Sequence, residues 1–201
     1  VSQALAKKKL LQAGTRVLAS LRFTCLICLP AAAGLGILAI PICQLLYDVP
    51  EAGLALFYLA PGILFLGLYQ TTAGALQGLG RTAIPVTNLF LGLVLKSFLN
   101  YFLTAVPGVG IKGAALATVM AFLLAFLLNY RALGRLTGLK FSLVELGLAP
   151  VVATGVMVVA VKHIYEALSL SLSSGIATLS TVFLGMLVYA ISLFLTGGIS
   201  A

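Results

Sequence analysis

The chain has 201 residues, 62% of them hydrophobic, with twelve Lys and Arg against four Asp and Glu and a net charge of +8. Charged residues make up 8%, against the roughly 25% that a soluble domain uses to cover its surface, and mean hydropathy is +1.20. That shortage of polar material excludes a water-facing globule, a disordered chain and a coiled coil, and it places the chain in a bilayer.

Residues 1–20 differ from the rest of the chain. Leu5, Leu10, Leu11, Val17 and Leu18 recur at helical spacing with Lys7, Lys8, Lys9, Gln12 and Arg16 between them, the pattern of an amphipathic or juxtamembrane helix on the cytoplasmic interface. A signal peptide is not expected, because the apolar segment after the lysines exceeds an h-region and five more apolar segments come after it. The first residue is Val1, so a piece of a longer protein is expected.

Crossing about 30 Å of hydrocarbon takes about 20 apolar residues in a helix, and six windows qualify. The first runs from Leu21 to Tyr47 and the second from Leu54 to Leu79. The third covers Ile84 to Val106, the fourth Ile111 to Arg131, the fifth Leu143 to Val161 and the sixth Ile176 to Leu195. The runs are continuous and Leu-rich rather than alternating, which rejects a β-barrel. The expected fold is an all-α polytopic membrane protein with six transmembrane helices. Short connectors rich in Gly, Pro and Ser separate the spans, at Asp48–Glu51, Gly80–Ala83, Val106–Gly110 and Ser169–Ser174. Prolines at 30, 41, 61, 85 and 150 mark kinks whose freed carbonyls need partners from neighbouring helices.

The cations sit singly in connectors, not in the dense basic patch that nucleic acid requires; no nucleic-acid partner is expected. Nine of them, Lys7, Lys8, Lys9, Arg16, Arg22, Arg81, Arg131, Arg135 and Lys140, fall on one side of the six-span topology and two, Lys112 and Lys162, on the other. The positive-inside rule then puts both termini in the cytoplasm. Asp48, Glu51 and Glu166 fall outside and Glu145 inside.

Lys96 is the exception, lying near the middle of the third span. Asn88, Gly92, Lys96 and Asn100 recur every fourth residue, so they form one slowly drifting helical stripe. An ammonium at that depth costs about 3 kcal/mol unless it meets water or a partner, which makes Lys96, Asn100 and Asn88 candidates for a substrate cavity; snorkelling is the alternative. In the second span Gln70 and Gln77, seven residues apart, share a face with Gly67 and Gly74, and Gly74 and Gly78 form a G-x-x-x-G. Helix packing is the plainer reading of these residues and cavity lining the sharper one.

Catalysis finds little support. His163 stands beside Lys162 with no nucleophile or second histidine nearby, and no carboxylate pair, H-E-x-x-H, Walker loop or dinucleotide fingerprint occurs. Cys25 and Cys28 form a C-x-x-C and Cys43 stands alone, all inside apolar runs, where they read as small packing residues. No enzyme, metal or cofactor is expected.

Three runs carry a resemblance: Ala75-Leu-Gln-Gly-Leu-Gly-Arg-Thr-Ala-Ile-Pro-Val86, Leu95-Lys-Ser-Phe-Leu-Asn-Tyr101, and Pro107-Gly-Val-Gly-Ile-Lys-Gly-Ala-Ala-Leu-Ala-Thr118. They resemble the C-terminal half of the polysaccharide-biosynthesis membrane proteins, in particular the stage V sporulation protein B group. That group sits in the multidrug, oligosaccharidyl-lipid and polysaccharide exporter superfamily. The resemblance implies helices 9–14 of a 14-helix, two-lobed flippase working by alternating access in the cytoplasmic membrane. Residues 1–20 would then be the juxtamembrane helix, 21–138 four helices of the C-terminal lobe, and 139–201 the last two. Its implied partners are a lipid-linked glycan, membrane lipids and the N-terminal portion of the same protein. The diphosphate of such a substrate calls for cations, and its tail for an apolar groove that the fifth and sixth spans are suited to line. A multidrug cation antiporter would want mid-span acids, and none of the four acids lies there. A non-transporting scaffold in envelope assembly leaves the third-span stripe without a role.

Overall fold

A computed structural model describes the backbone of residues 2–138 and 143–196 and the side chains of 14–138 and 149–196. Lys140 lies outside the described residues, as do the side chains of Lys7, Lys8, Lys9 and Glu145. The described elements are all helical: α1 Ser2–Ile37, α2 Ala39–Tyr47, α3 Ala52–Leu59, α4 Pro61–Gly78, α5 Ala83–Ala105, α6 Gly110–Thr137, α7 Leu143–Ser169 and α8 Ser174–Leu195. Five are long and apolar enough to cross a membrane, and the α3–α4 pair, bent by 40°, passes the same test when its two helices are taken as one span, which makes six.

Prolines shape the first two spans. Pro41 has no N–H to give the Ile37 carbonyl, and its ring crowds that group; the helix breaks at Leu38 (φ −92°, ψ 15°), dividing α1 from α2. The expected first span, Leu21–Tyr47, is therefore two helices, and the hydrophobic stretch of α1 reaches back to Gly14. No helix break marks the expected division at residue 20, since α1 is continuous from Ser2. Pro61 sits at the first position of α4, where its missing N–H does no harm but the preceding helix must bend.

The quoted run from Leu76 to Pro85 is a tight helical hairpin. Gly80 adopts φ +75°, a conformation that favours glycine. It lets the Gly80 N–H reach the Gln77 carbonyl at 2.9 Å and the Arg81 N–H reach the Leu76 carbonyl at 2.9 Å. This paired closure satisfies the last carbonyls of α4. Pro85 then falls in the first turn of α5, where no intrahelical donor is lost.

Two apolar cores hold the helices together. At one end Val17 and Leu21 of α1 meet Leu68 and Leu76 of α4 and Phe126 and Leu133 of α6. At the other, Leu38 meets Met157 and Val161 of α7, with Val182 and Tyr189 of α8 packed against them. Helix α6 lies against both α4 and α5, α1 against α4 and α7, and α7 against α8. Because the first core gathers residues next to Arg16, Arg22, Arg81, Arg131 and Arg135, these arginines share one end of the bundle. The break at Leu38 lies about 24 Å along α1 from Arg22 at 1.5 Å per residue.

Small residues set the closest approaches. A Cβ on Gly92 would lie 2.7 Å from the Ala121 carbonyl oxygen of α6, and one on Gly67 would lie 2.6 Å from Cys28 Sγ of α1. Gly74 and Gly78 have nothing within 4 Å. The G-x-x-x-G of the second span is therefore not a helix contact among the described residues; Gly67, about two turns before Gly74, is.

Candidate functional site

The third-span stripe turns out to straddle a helix contact. Asn88 and Gly92 face α6: Asn88 Nδ2 donates to Asn129 Oδ1 at 2.8 Å, and Gly92 lets the α6 backbone close in. Four residues in an α-helix amount to about 40° of drift, so Lys96 and Asn100 rotate off this contact onto its flank, where both are half-buried. The Lys96 ammonium has no hydrogen bond or ion pair among the described residues. One turn on, Asn100 Oδ1 is buried and also lacks a partner. This flank of α5 thus carries a donor near mid-span and an acceptor one turn on, neither of them satisfied among the described residues.

Gln70 and Gln77 lie elsewhere, exposed on α4 together with Gly74. The opposite face of α4 is taken up by α1 and α6, through the Thr24 and Thr71 hydroxyls 2.6 Å apart and the buried Leu68, Thr72 and Leu76. No hydrogen bond joins the two glutamines to the α5 stripe among the described residues. The five sequence candidates therefore form two separate polar faces.

Three residues that sequence reasoning passed over matter as much. Asn129 is fully buried, and its Nδ2 has no partner, so the Asn88–Asn129 pair is a polar node in an apolar contact. An amide near the end of the run Ala121–Tyr130 was the available signal. Thr24, with Thr71, pins the α1–α4 crossing. Tyr189 of α8 donates its hydroxyl to the Leu26 carbonyl at 2.7 Å. That carbonyl is the one Pro30 leaves without an amide donor, so α8 completes the hydrogen bonding of α1.

Tyr189 also borders an apolar groove of about 440 Å³ between α1, α7 and α8. Its walls run from Leu26 and Pro30 through Gly34 to Met157, Val161 and Met186. The tyrosine hydroxyl, being bonded to Leu26, presents no free donor to it. The groove's lining is almost wholly apolar and so suits hydrocarbon better than a group that needs a polar partner.

No group of three His, Cys, Asp or Glu that would hold a metal occurs among the described residues. Cys25 and Cys28 are free and half-buried, and Cys43 is free and buried. His163 Nδ1 stands 3.7 Å from Glu166 Oε2 on an exposed turn.

The sequence profile described as "Lipid II flippase MurJ" matches residues 1–183. The chain belongs to the MurJ lipid II flippase family. It is thereby a member of a transporter family within the multidrug, oligosaccharidyl-lipid and polysaccharide exporter superfamily. Among curated proteins, this MurJ-family chain is 34% identical over 122 residues to the uncharacterized membrane protein YabM of Bacillus subtilis, covering 61% of the chain and 23% of that relative. It is 29% identical over 152 residues to the lipid II flippase MurJ of the same organism, covering 72% of the chain and 27% of the relative. The uncharacterized membrane protein MJ1375 of Methanocaldococcus jannaschii is 39% identical over 87 residues, covering 43% and 20% respectively. The chain thus spans about a quarter of the length of the curated relatives it matches.

Proposed function

We propose that the chain forms part of a flippase that moves a lipid-linked oligosaccharide, a lipid II-like or exopolysaccharide precursor, across the cytoplasmic membrane by alternating access. The observation that carries this reading is Lys96, an ammonium at mid-span with no partner among the described residues. An uncompensated charge at that depth needs a wet cavity or an anionic ligand. Asn100, with its unpaired oxygen one turn on, adds a second unsatisfied polar group to the same flank, and Asn88 holds the stripe in register through Asn129. Gln70 and Gln77, exposed on α4, would line a second wall facing the remainder of the protein. The groove between α1, α7 and α8 suits the polyprenyl tail.

In this reading residues 21–138 belong to the C-terminal lobe, 139–201 supply the tail-side helices, and both termini face the cytoplasm with the arginine-bearing end. The narrower likeness to the stage V sporulation protein B group rests on the Leu76–Pro85 hairpin. A cation antiporter is less favoured, because the described acids Asp48, Glu51 and Glu166 are all exposed near helix ends.

The test is transport by the intact protein, normalised to membrane abundance. Lys96→Gln keeps length and removes charge, and transport should fall; Lys96→Arg should retain part of it. Normal transport by Lys96→Gln would show that the ammonium merely snorkels.

A further inference from the structure

At the α1–α2 break a second cavity, of about 410 Å³, adjoins the apolar groove, with Leu38 lining both. Its character is different. Gln44, Lys162, Tyr165 and Glu166 line it beside Ile37 and Pro41. Lys162 and Glu166 are one helical turn apart on α7 and share a face. Lys162 makes no hydrogen bond or ion pair among the described residues. The Glu166 side chain, 58% exposed, has only the loose 3.7 Å approach of His163.

We infer that this mouth binds the headgroup of a diphosphate-linked sugar whose tail occupies the adjoining groove, with Lys162 against the diphosphate and Glu166 and Gln44 on sugar hydroxyls. The inference rests on the function proposed above and adds a place for the substrate at the end of the bundle opposite the arginines. Two features select this ligand over an ordinary phospholipid. A bare anionic phosphate would gain from Lys162 and lose to Glu166, one turn away. A sugar diphosphate uses both, since a carboxylate accepts hydrogen bonds from hydroxyls and an amide donates and accepts. The charge balance also fits departure. Five arginines gather at the far end, whereas one lysine and a neighbouring carboxylate hold the diphosphate here, so retention is weak where the lipid must leave.

The experiment measures binding to the intact protein in phosphatidylcholine nanodiscs. The probes are polyprenyl-diphosphate-N-acetylglucosamine, polyprenyl monophosphate and phosphatidylglycerol. Lys162→Gln should weaken the sugar-bearing probe about fivefold, the upper range for an exposed charge contact. Lys112→Gln, a cation at the same end but outside the mouth, should leave it unchanged. Glu166→Gln separates the occupants: it should weaken the sugar-bearing probe while leaving polyprenyl monophosphate and phosphatidylglycerol unchanged or tighter. If Glu166→Gln tightens all three probes, the mouth is a general phosphate site and the assignment fails. If the wild type binds the sugar-bearing probe and neither variant alters it, the mouth is not the headgroup site although the flippase reading stands. If the wild type binds none of that probe, the flippase reading itself falls.

Discussion

Replacing Gly92 by alanine tests whether the α5–α6 contact holds the polar node together. The new Cβ would sit 2.7 Å from the Ala121 carbonyl oxygen, against 3.4 Å or more for ordinary contact, and 3.6 Å from the Ala125 Cβ. The obstructing atom is backbone, so no side chain can swing aside, and the helices must part by about 0.7 Å. Asn88 lies one turn from Gly92, and the same separation would stretch its 2.8 Å bond to Asn129 to about 3.5 Å, outside hydrogen-bond range. Overpacking costs about 1–3 kcal/mol, and an interhelical hydrogen bond in a membrane protein adds about 0.6 kcal/mol. The helix preference of Ala over Gly offsets about 0.5–1 kcal/mol, leaving a net loss of about 1–3 kcal/mol. Denaturation in mixed detergent micelles, with Gly74→Ala as the comparator, measures it. Gly74 has nothing within 4 Å, so its alanine variant should be neutral or slightly stabilised. A double-mutant cycle sharpens the test, because Asn88→Ala should cost less in the Gly92→Ala background than in the wild type. Equal behaviour of Gly92→Ala and Gly74→Ala, or an unchanged Asn88→Ala cost, would refute the reasoning.

Tyr189→Phe should lower stability by about 0.6–1.7 kcal/mol, because it strips the Leu26 carbonyl of its donor; Pro30→Ala supplies an amide to that carbonyl, so the tyrosine substitution should cost little in its presence. Thermal unfolding of the four variants in detergent checks this, and equal tyrosine costs in both backgrounds would contradict it. Single cysteines at Asp48 and Lys162, with the three native cysteines changed to serine, should label with an impermeant reagent from outside intact cells, and one at Arg81 only after permeabilisation. The opposite pattern would invert the topology.

Much of the architecture was legible because bilayer constraints act on composition directly. A backbone in hydrocarbon must close its own hydrogen bonds, so apolar runs of adequate length became α5, α6, α7 and α8; α5 and α8 lie within two residues of their expected bounds, while α6 and α7 run six and eight residues past their expected C-terminal ends. Gly80 and Pro85 marked the α4–α5 hairpin for a local reason, a positive φ and a first-turn proline, and local reasons can be read from a string. The mid-span charge of Lys96 was equally plain. What the string did not contain was which face each helix turns to which neighbour. Gly67 and Gly74 are the same residue one helical heptad apart, yet one meets Cys28 and the other meets nothing. The need for a donor at Leu26 comes from Pro30, but that the donor is Tyr189, 163 residues away, depends on how α8 docks. Asn88 found Asn129 for the same reason. Close approach between helices is a property of pairs of surfaces, and only the packed bundle brings the two members of each pair within reach.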